Sequence, residues 1–306
     1  MNDRAKNAEK EHTMDEKKNV MAENGQPTFE GLSQYCPPHC FELKGRDLTV
    51  CMDSGYDYTL HFDKETVTWG KVGEEQRTDE YICLKAEDQT YFINAEITGV
   101  TPRLGLTLIL DDENDLVTVI EGRQGMNPKL PYLVEIHAHF GAVQVEGKPL
   151  NEKRHGYTTD LIGRAAIWTY SPTFNIIHAY TSERYYNVSS VMKEGEKPTP
   201  EQMEEAKALM ESFRGYKDPT EPALYIRIKE GIYVFAFAEQ NLEKFTGPKT
   251  RGNSLAFLMN FKRMYDVGRS FGTNSQQLPE NYCFGAYGVE IPMPERFKNM
   301  KSAYYM

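Results

Sequence analysis

The chain has 306 residues, 40% of them apolar, and its 45 acidic against 35 basic side chains give a net charge of −10. With a pI near 5.3 it offers no basic face to neutralise phosphates, which excludes nucleic acid and anionic membrane surfaces as partners. No apolar run approaches the ~20 residues of a membrane span, and Met1 to Lys18 is charged, without the apolar stretch of a signal peptide. A soluble, cytoplasmic protein is expected, and five scattered cysteines fit reduced thiols there better than a disulfide framework.

In chain order, residues 1–27 are polar and charged and read as a disordered tail. Cys36-Pro37-Pro38-His39-Cys40 reads as a stiff turn as readily as half of a metal site, since no second ligand pair follows at zinc spacing. From Phe41 onward, short runs rich in Val, Ile, Thr and aromatics alternate with Gly, Asp and Asn turns. The predicted strands are 48–52, 56–63, 66–69, 81–85, 90–97, 104–110, 116–121 and 132–145. The pattern resumes at 166–170, 175–181, 184–191, 224–228, 232–239, 255–260 and 265–269. Such spacing implies antiparallel sandwiches or barrels. His137 and His139 share one face of their strand and form a candidate metal pair, with His61 or Glu135 as a third ligand, weighed against plain surface or interdomain histidines.

One helix interrupts the second series near 199–213. Thr199 suits the N-cap, Pro200 the first helical position, and Gly215 follows the stop, while Met203, Ala206 and Phe213 recur at helical spacing. It is expected to pack on the second unit. Met293, Phe297, Met300, Tyr304, Tyr305 and Met306 form an apolar C-terminal stretch, a candidate homodimer contact.

Two stretches are copies of one another. Leu43-Lys44-Gly45-Arg46 recurs as Leu161-Ile162-Gly163-Arg164, each followed by a polar and aromatic run. The period is too long for a solenoid and suits a small domain, which divides the chain into a first unit over 28–152 and a second over 153–306. Tyr81 to Glu96 and Tyr225 to Glu239 also correspond, each as two strands ending on a glutamate.

Alternate residues of a barrel strand face inward. Along 232–239 the large set is Tyr233, Phe235, Phe237 and Glu239, and the small set is Val234, Ala236 and Ala238. The large set suits an aromatic wall with one carboxylate, whose pKa such surroundings raise towards neutral. Trp168 with Tyr170, and His178 with Tyr180, join it by the same parity. A pocket built this way holds Glu239, Tyr170 and His178 as acid-base groups. Its binding wall is Trp168, Tyr180, Tyr233, Phe235 and Phe237. The competing view is that these Tyr and His side chains satisfy one another in a core. In the first unit Phe92, Asn94 and Glu96 form the corresponding set, while Val50 and Met52 replace Trp168 and Tyr170. That unit is expected to be structural or to take a different ligand.

The second half, with His155-Gly-Tyr-Thr-Thr-Asp-Leu-Ile-Gly-Arg164, Tyr170-Ser-Pro-Thr173, and Lys262-Arg263-Met264 leading to Gly268-Arg269-Ser-Phe-Gly272, resembles the C-terminal domain of the MoaF family. Leu43 to Gly122 resembles that family's N-terminal domain more weakly. The likeness implies an all-β fold of two lipocalin-like (calycin) antiparallel barrels in tandem. More distantly, Leu161 to Tyr170 and Lys229 to Glu239 are similar to phenolic acid decarboxylases, single cofactor-free barrels in which two tyrosines, a glutamate and an arginine hold a hydroxycinnamate. Trp168 stands here for the first tyrosine, and Met192-Lys193-Glu194-Gly195-Glu196 stands where the arginine is expected, which leaves Arg164, Arg227, Arg263 or Arg269 as the candidates to grip an acid in its place. The resulting expectation is a small, aromatic organic ligand in the second barrel, with a cofactor-independent lyase or isomerase activity and no metal. The alternative is a binding or accessory protein without turnover.

Overall fold

The structure, a computed structural model, describes residues 34–129, 131–172, 174–191, 220–239, 252–273 and 278–298. The expected tail at 1–27, the expected helix at 199–213 and the segment from Met300 to Met306 lie outside the described residues. What is described is almost wholly strand. β1 (Asp47–Met52), β2 (Asp57–Phe62), β3 (Thr66–Lys71), β4 (Arg77–Glu80), β5 (Ile82–Glu87), β6 (Thr90–Ile97), β7 (Arg103–Asp111), β8 (Leu116–Gln124) and β9 (Val134–Gln144) make a nine-stranded sheet in the order β4-β3-β2-β1-β9-β8-β7-β6-β5. A second nine-stranded sheet holds β10 (Gly156–Tyr157), β11 (Ala165–Ser171), β12 (Phe174–Ala179), β13 (Tyr185–Val191), β14 (Thr220–Lys229), β15 (Ile232–Ala238), β16 (Gly252–Asn260), β17 (Tyr265–Thr273) and β18 (Pro279–Ile291). All pairings are antiparallel. A short helix, α1 (Glu295–Lys298), follows. These are the tandem calycin-like barrels of the sequence reading.

The repeat is visible at the atomic level. Gly45 and Gly163 both have positive φ, 78° and 87°, which glycine adopts without a Cβ penalty. Each turns the chain so that its amide meets the far end of the first hairpin: Gly45 N–H donates to Phe62 O at 2.6 Å and Gly163 N–H to Tyr180 O at 2.9 Å. Arg46 O and Arg164 O accept in return from Phe62 and Tyr180, each at 3.0 Å. The leucines two residues before the glycines, Leu43 and Leu161, are fully buried and join the cores of their own barrels.

The two barrels close differently. In the second, β14 pairs with both β13 and β15, so β11 to β18 form a continuous hydrogen-bonded ring with β10 added on β14. In the first, no backbone ladder joins β4 to the β5–β6 hairpin among the described residues, and Asp79 spans the seam instead. Its side chain is buried and accepts from the Thr98 amide at 3.0 Å and hydroxyl at 2.9 Å, from Trp69 Nε1 at 2.9 Å and from Arg77 Nε at 2.7 Å. Burial alone pushes this carboxyl up. The hydrogen bonds from Arg77, Thr98 and Trp69 outweigh that and hold it at about 2.

The barrels pack side by side through a shared apolar layer. Leu84, Phe92, Ile109 and Ile120 from the first sheet meet Ile226, Val234, Ala236, Ala256, Leu258 and Val267 from the second. Burying a side chain of this size contributes about 1.5–3 kcal/mol, so this layer is the third core of the molecule. It settles strand parity. Tyr233, Phe235 and Phe237 face the second barrel's interior, as the sequence suggests, but the small set Val234 and Ala236 packs on the first sheet. The pairing of the two glutamates is corrected: in β6 the inward set is Tyr91, Ile93, Ala95 and Ile97. Phe92 joins the shared layer and Asn94 donates to Asn281 of β18 at 3.0 Å. Glu96, on the same face, takes Arg103 at 2.8 Å.

Three strands escaped the sequence reading. β4 and β10 are short, and β18 contains Gly285 and Gly288, residues of low strand propensity. Both glycines answer close approaches, since a Cβ on Gly285 would lie 2.8 Å from Tyr35 O and one on Gly288 2.5 Å from the Trp168 ring. Removing the seam carboxylate by Asp79→Ala should destabilise the protein by about 2–3 kcal/mol, because Arg77 and Thr98 lose their acceptor. A group held below its unfolded value stabilises above about pH 3.9 and loses that contribution as pH falls through its folded value near 2. Urea titrations should therefore show the full deficit at pH 6 and a vanishing one near pH 2.

Candidate functional site

A cavity of about 290 Å³ lies inside the first barrel. The inward-facing residues of its strands wall it: Val50, Met52, Leu60, Phe62, Val67, Ile93, Ala95, Ile97, Leu104, Leu106, Leu108 and Val119, with the rings of Tyr58 and Trp69. Exposure falls to zero at Phe62, Leu110 and Val117 towards one end, where Leu43 completes the core. The opposite end carries polar groups. Ser54 sits in the β1–β2 turn, and Glu121, Arg123 and His139 project from β8 and β9 on the same inward parity as Val119.

These three form a connected group. Arg123 donates Nε to Glu121 Oε1. The other carboxylate oxygen, Oε2, lies 3.8 Å from His139 Nε2, beyond hydrogen-bonding range. That nitrogen is shielded from solvent and has no partner among the described residues. His139 is thus half of the histidine pair, and its neighbour two residues earlier points elsewhere: His137 Nε2 is 3.9 Å from Glu135. His61 on β2 engages Asp47 at 2.8 Å. Among the described residues no three potential ligands gather into a metal-binding group. The cysteine-rich turn is also spread apart: Cys40 faces Cys83, which lowers its thiol to about 7 by hydrogen bonding, whereas Cys36 faces Cys283 and Asp266.

The second barrel brings together Trp168, Tyr170, His178, Tyr180, Tyr233, Phe235 and Phe237, all buried. They are packed against one another. Rings of Tyr180, Tyr186, Phe235 and Phe257 surround His178 with centroids 5.4–6.3 Å away, and Tyr225 stacks on Phe235 at 5.5 Å. The wall offers no slack either, for a Cβ on Gly268 would come within 2.4 Å of Phe284. Trp168 Nε1 donates to the Tyr180 hydroxyl at 3.2 Å. Burial drives His178 down to about 3, so its imidazole is neutral at physiological pH. Glu239 stands just past β15, half-buried, with its amide donating to Asn253 O at 2.8 Å. Arg269 does not join the interior group. It lies on the other face of β17, fully buried between the barrels, and donates to Thr107 of β7 at 2.7 Å and to Ser254 at 3.2 Å. Burial lowers its guanidinium to about 10.

Sequence reasoning passed over two groups. The first barrel's Glu121 and Arg123 are hidden, and His139 stands out only as a metal candidate, because alternation along β8 and β9 serves two apolar environments at once. The other is Asp266, fully buried on the inward face of β17. The Ala286 amide and Tyr170 hydroxyl face it, yet neither carboxyl oxygen has a partner of good geometry among the described residues. Desolvation pushes this group well above the ordinary carboxylate range. Its only sequence signal is an acid inside a strand of otherwise small and apolar residues.

Asp266 yields a pH-dependent prediction. A carboxyl held above its unfolded value stabilises the fold only below the unfolded pKa near 3.9, and that contribution is lost as pH rises through the folded value. Asp266→Asn should raise Tm at pH 8, with a gain that shrinks towards pH 4. A gain equal at both pH values would show that the carboxyl is not held neutral by burial.

With this geometry in place, residues 28–125 match the family model of the MoaF N-terminal domain. The match falls on the half where the chain's own likeness to that family is weaker. No curated protein matches the chain. Among solved structures, the chain is similar to a protein of unknown function from the DUF3598 family of Nostoc punctiforme PCC 73102, with a TM-score of 0.33 and 9% identity, covering 80% of this chain and 93% of that one. Among the described residues no helix is long and apolar enough to cross a membrane.

Proposed function

We propose that this chain, which matches the model of the MoaF N-terminal domain over residues 28–125, binds a small, largely apolar organic molecule inside the first barrel. The observation that carries the reading is the cavity of about 290 Å³ with apolar walls and a polar cluster at one end. Ligand sites have this composition, a mostly apolar lining with a few placed polar groups, and this one lies at the lower end of their usual size. At ~30 Å³ per water-sized group, it holds a molecule of about ten heavy atoms.

The assignment moves the ligand from the second barrel to the first. Aromatic rings occupy the second barrel's inward positions, so that unit serves as the scaffold against which β5 to β9 are held. A small neutral fluorescent probe of matching size, 1-naphthylamine, should bind with single-site saturation and blue-shifted emission. Ala95 is buried on the cavity wall, and Ala95→Phe should weaken binding at least tenfold with an unchanged near-UV circular dichroism spectrum. Leu106→Phe fills the same space from β7 and should do likewise. Equal binding by both variants, or none by the wild type, overturns the reading.

A second reading keeps acid-base chemistry in the second barrel, favoured by three buried polar atoms without partners among the described residues: Asp266 Oδ1 and Oδ2, and His178 Nδ1. Asp266 and Tyr170, with Glu239 at the strand end, would then move protons on an aromatic substrate admitted by parting of the rings. It requires an aromatic molecule to co-purify with the wild type and to be lost from Tyr170→Phe. Mass spectrometry of the denatured protein finding none would remove this reading and leave the first untouched.

A further inference from the structure

We infer that the molecule held in the first barrel presents a hydroxyl group, not a carboxylate, to Glu121 and His139; this rests on the binding reading above and specifies its ligand class. Glu121 Oε1 is taken by Arg123, while Oε2 and His139 Nε2 face one another across 3.8 Å at the cavity wall. That gap is too long for a direct hydrogen bond and leaves Nε2 buried and without a partner among the described residues. A buried donor left unmatched costs about 1–3 kcal/mol, so the site is completed by a group that accepts from one side and gives to the other. A hydroxyl does both at once: its lone pair accepts from His139 Nε2–H, and its own proton goes to Glu121 Oε2. A carboxylate has no proton for Glu121 and would set a second negative charge beside it, where the adjacent Arg123 is already paired. In this arrangement His139 carries its proton on Nε2, and an ammonium group would then suit Glu121 but face that N–H with no acceptor. The apolar walls formed by Ile93, Leu108 and Val119 then fix the rest of the ligand as hydrocarbon, which makes the class small phenols and related alcohols.

Isothermal titration of the full chain at pH 7 with 2-naphthol, 2-naphthoate and unsubstituted naphthalene tests this. 2-Naphthol is expected to bind at least tenfold more tightly than 2-naphthoate and more tightly than naphthalene. His139→Phe should abolish the advantage of naphthol over naphthalene. Glu121→Leu, which frees Arg123, should reverse the order so that naphthoate binds better than naphthol. If naphthoate matches or exceeds naphthol on the wild type, the hydroxyl inference falls while the cavity's binding role stands. If none of the three binds, the binding role itself falls. Should Glu121→Leu not fold, the wild-type order together with His139→Phe still decides.

Discussion

A layer of apolar side chains shared by the two barrels fixes which way every neighbouring strand faces. β6 and β15 are buried along nearly their whole length on both sides, because one face fills a barrel and the other fills the gap between barrels. A one-residue slip in such a strand exchanges two apolar faces instead of exposing one to water. Register is therefore held by fit rather than by hydrophobicity alone: bulky Phe235 and Phe237 fill a barrel, while small Ala236 and Ala256 let the sheets approach.

The same double burial explains what the sequence reveals and what it hides. Element type and approximate bounds follow from β-branched and aromatic runs between Gly and Asp turns, and the Leu-x-Gly-Arg repeat marks the start of each barrel because a positive φ and a buried leucine are both required there. The interior of the second barrel is also readable, since its large and small residues alternate cleanly along β15. In β6 both sets are large, Tyr91 and Ile93 on one side and Phe92 on the other, so parity alone does not say which side lines a cavity. The repeat aligns Glu96 with Glu239, although Glu96 faces the outside of its barrel and pairs with Arg103. The polar cluster escaped for a related cause: Glu121 and His139 come from different strands, and nothing short of the β8–β9 register places them together.

Polar groups between the barrels make their docking specific. Arg103 donates to Gly272 O at 2.6 Å and to Gln124 at 2.7 Å, and Gln124 reaches Thr273 at 2.8 Å. Thr118 Oγ1 lies 2.8 Å from His155 Nδ1, and the far nitrogen of that ring is 3.6 Å from Asp111. Asn260 donates to Ala86 O at 2.9 Å. Each of these partners sits at a set height on its strand, so sliding one barrel along the other leaves several buried donors unmatched, at about 1–3 kcal/mol each. The apolar layer supplies the attraction, and these bonds select one arrangement from those it allows.

The difference in closure between the two units has a mechanical consequence. A hoop of eight hydrogen-bonded strands has a girth that no single bond can alter, so widening the second barrel means breaking a ladder. The first barrel is a hoop with a buckle, where Asp79 and its donors bear the circumferential tension. Strain from an oversized guest concentrates at that buckle instead of spreading through the sheet. On the binding reading proposed above, the breadth of guest this barrel takes follows the residues at the buckle before it follows those that touch the guest.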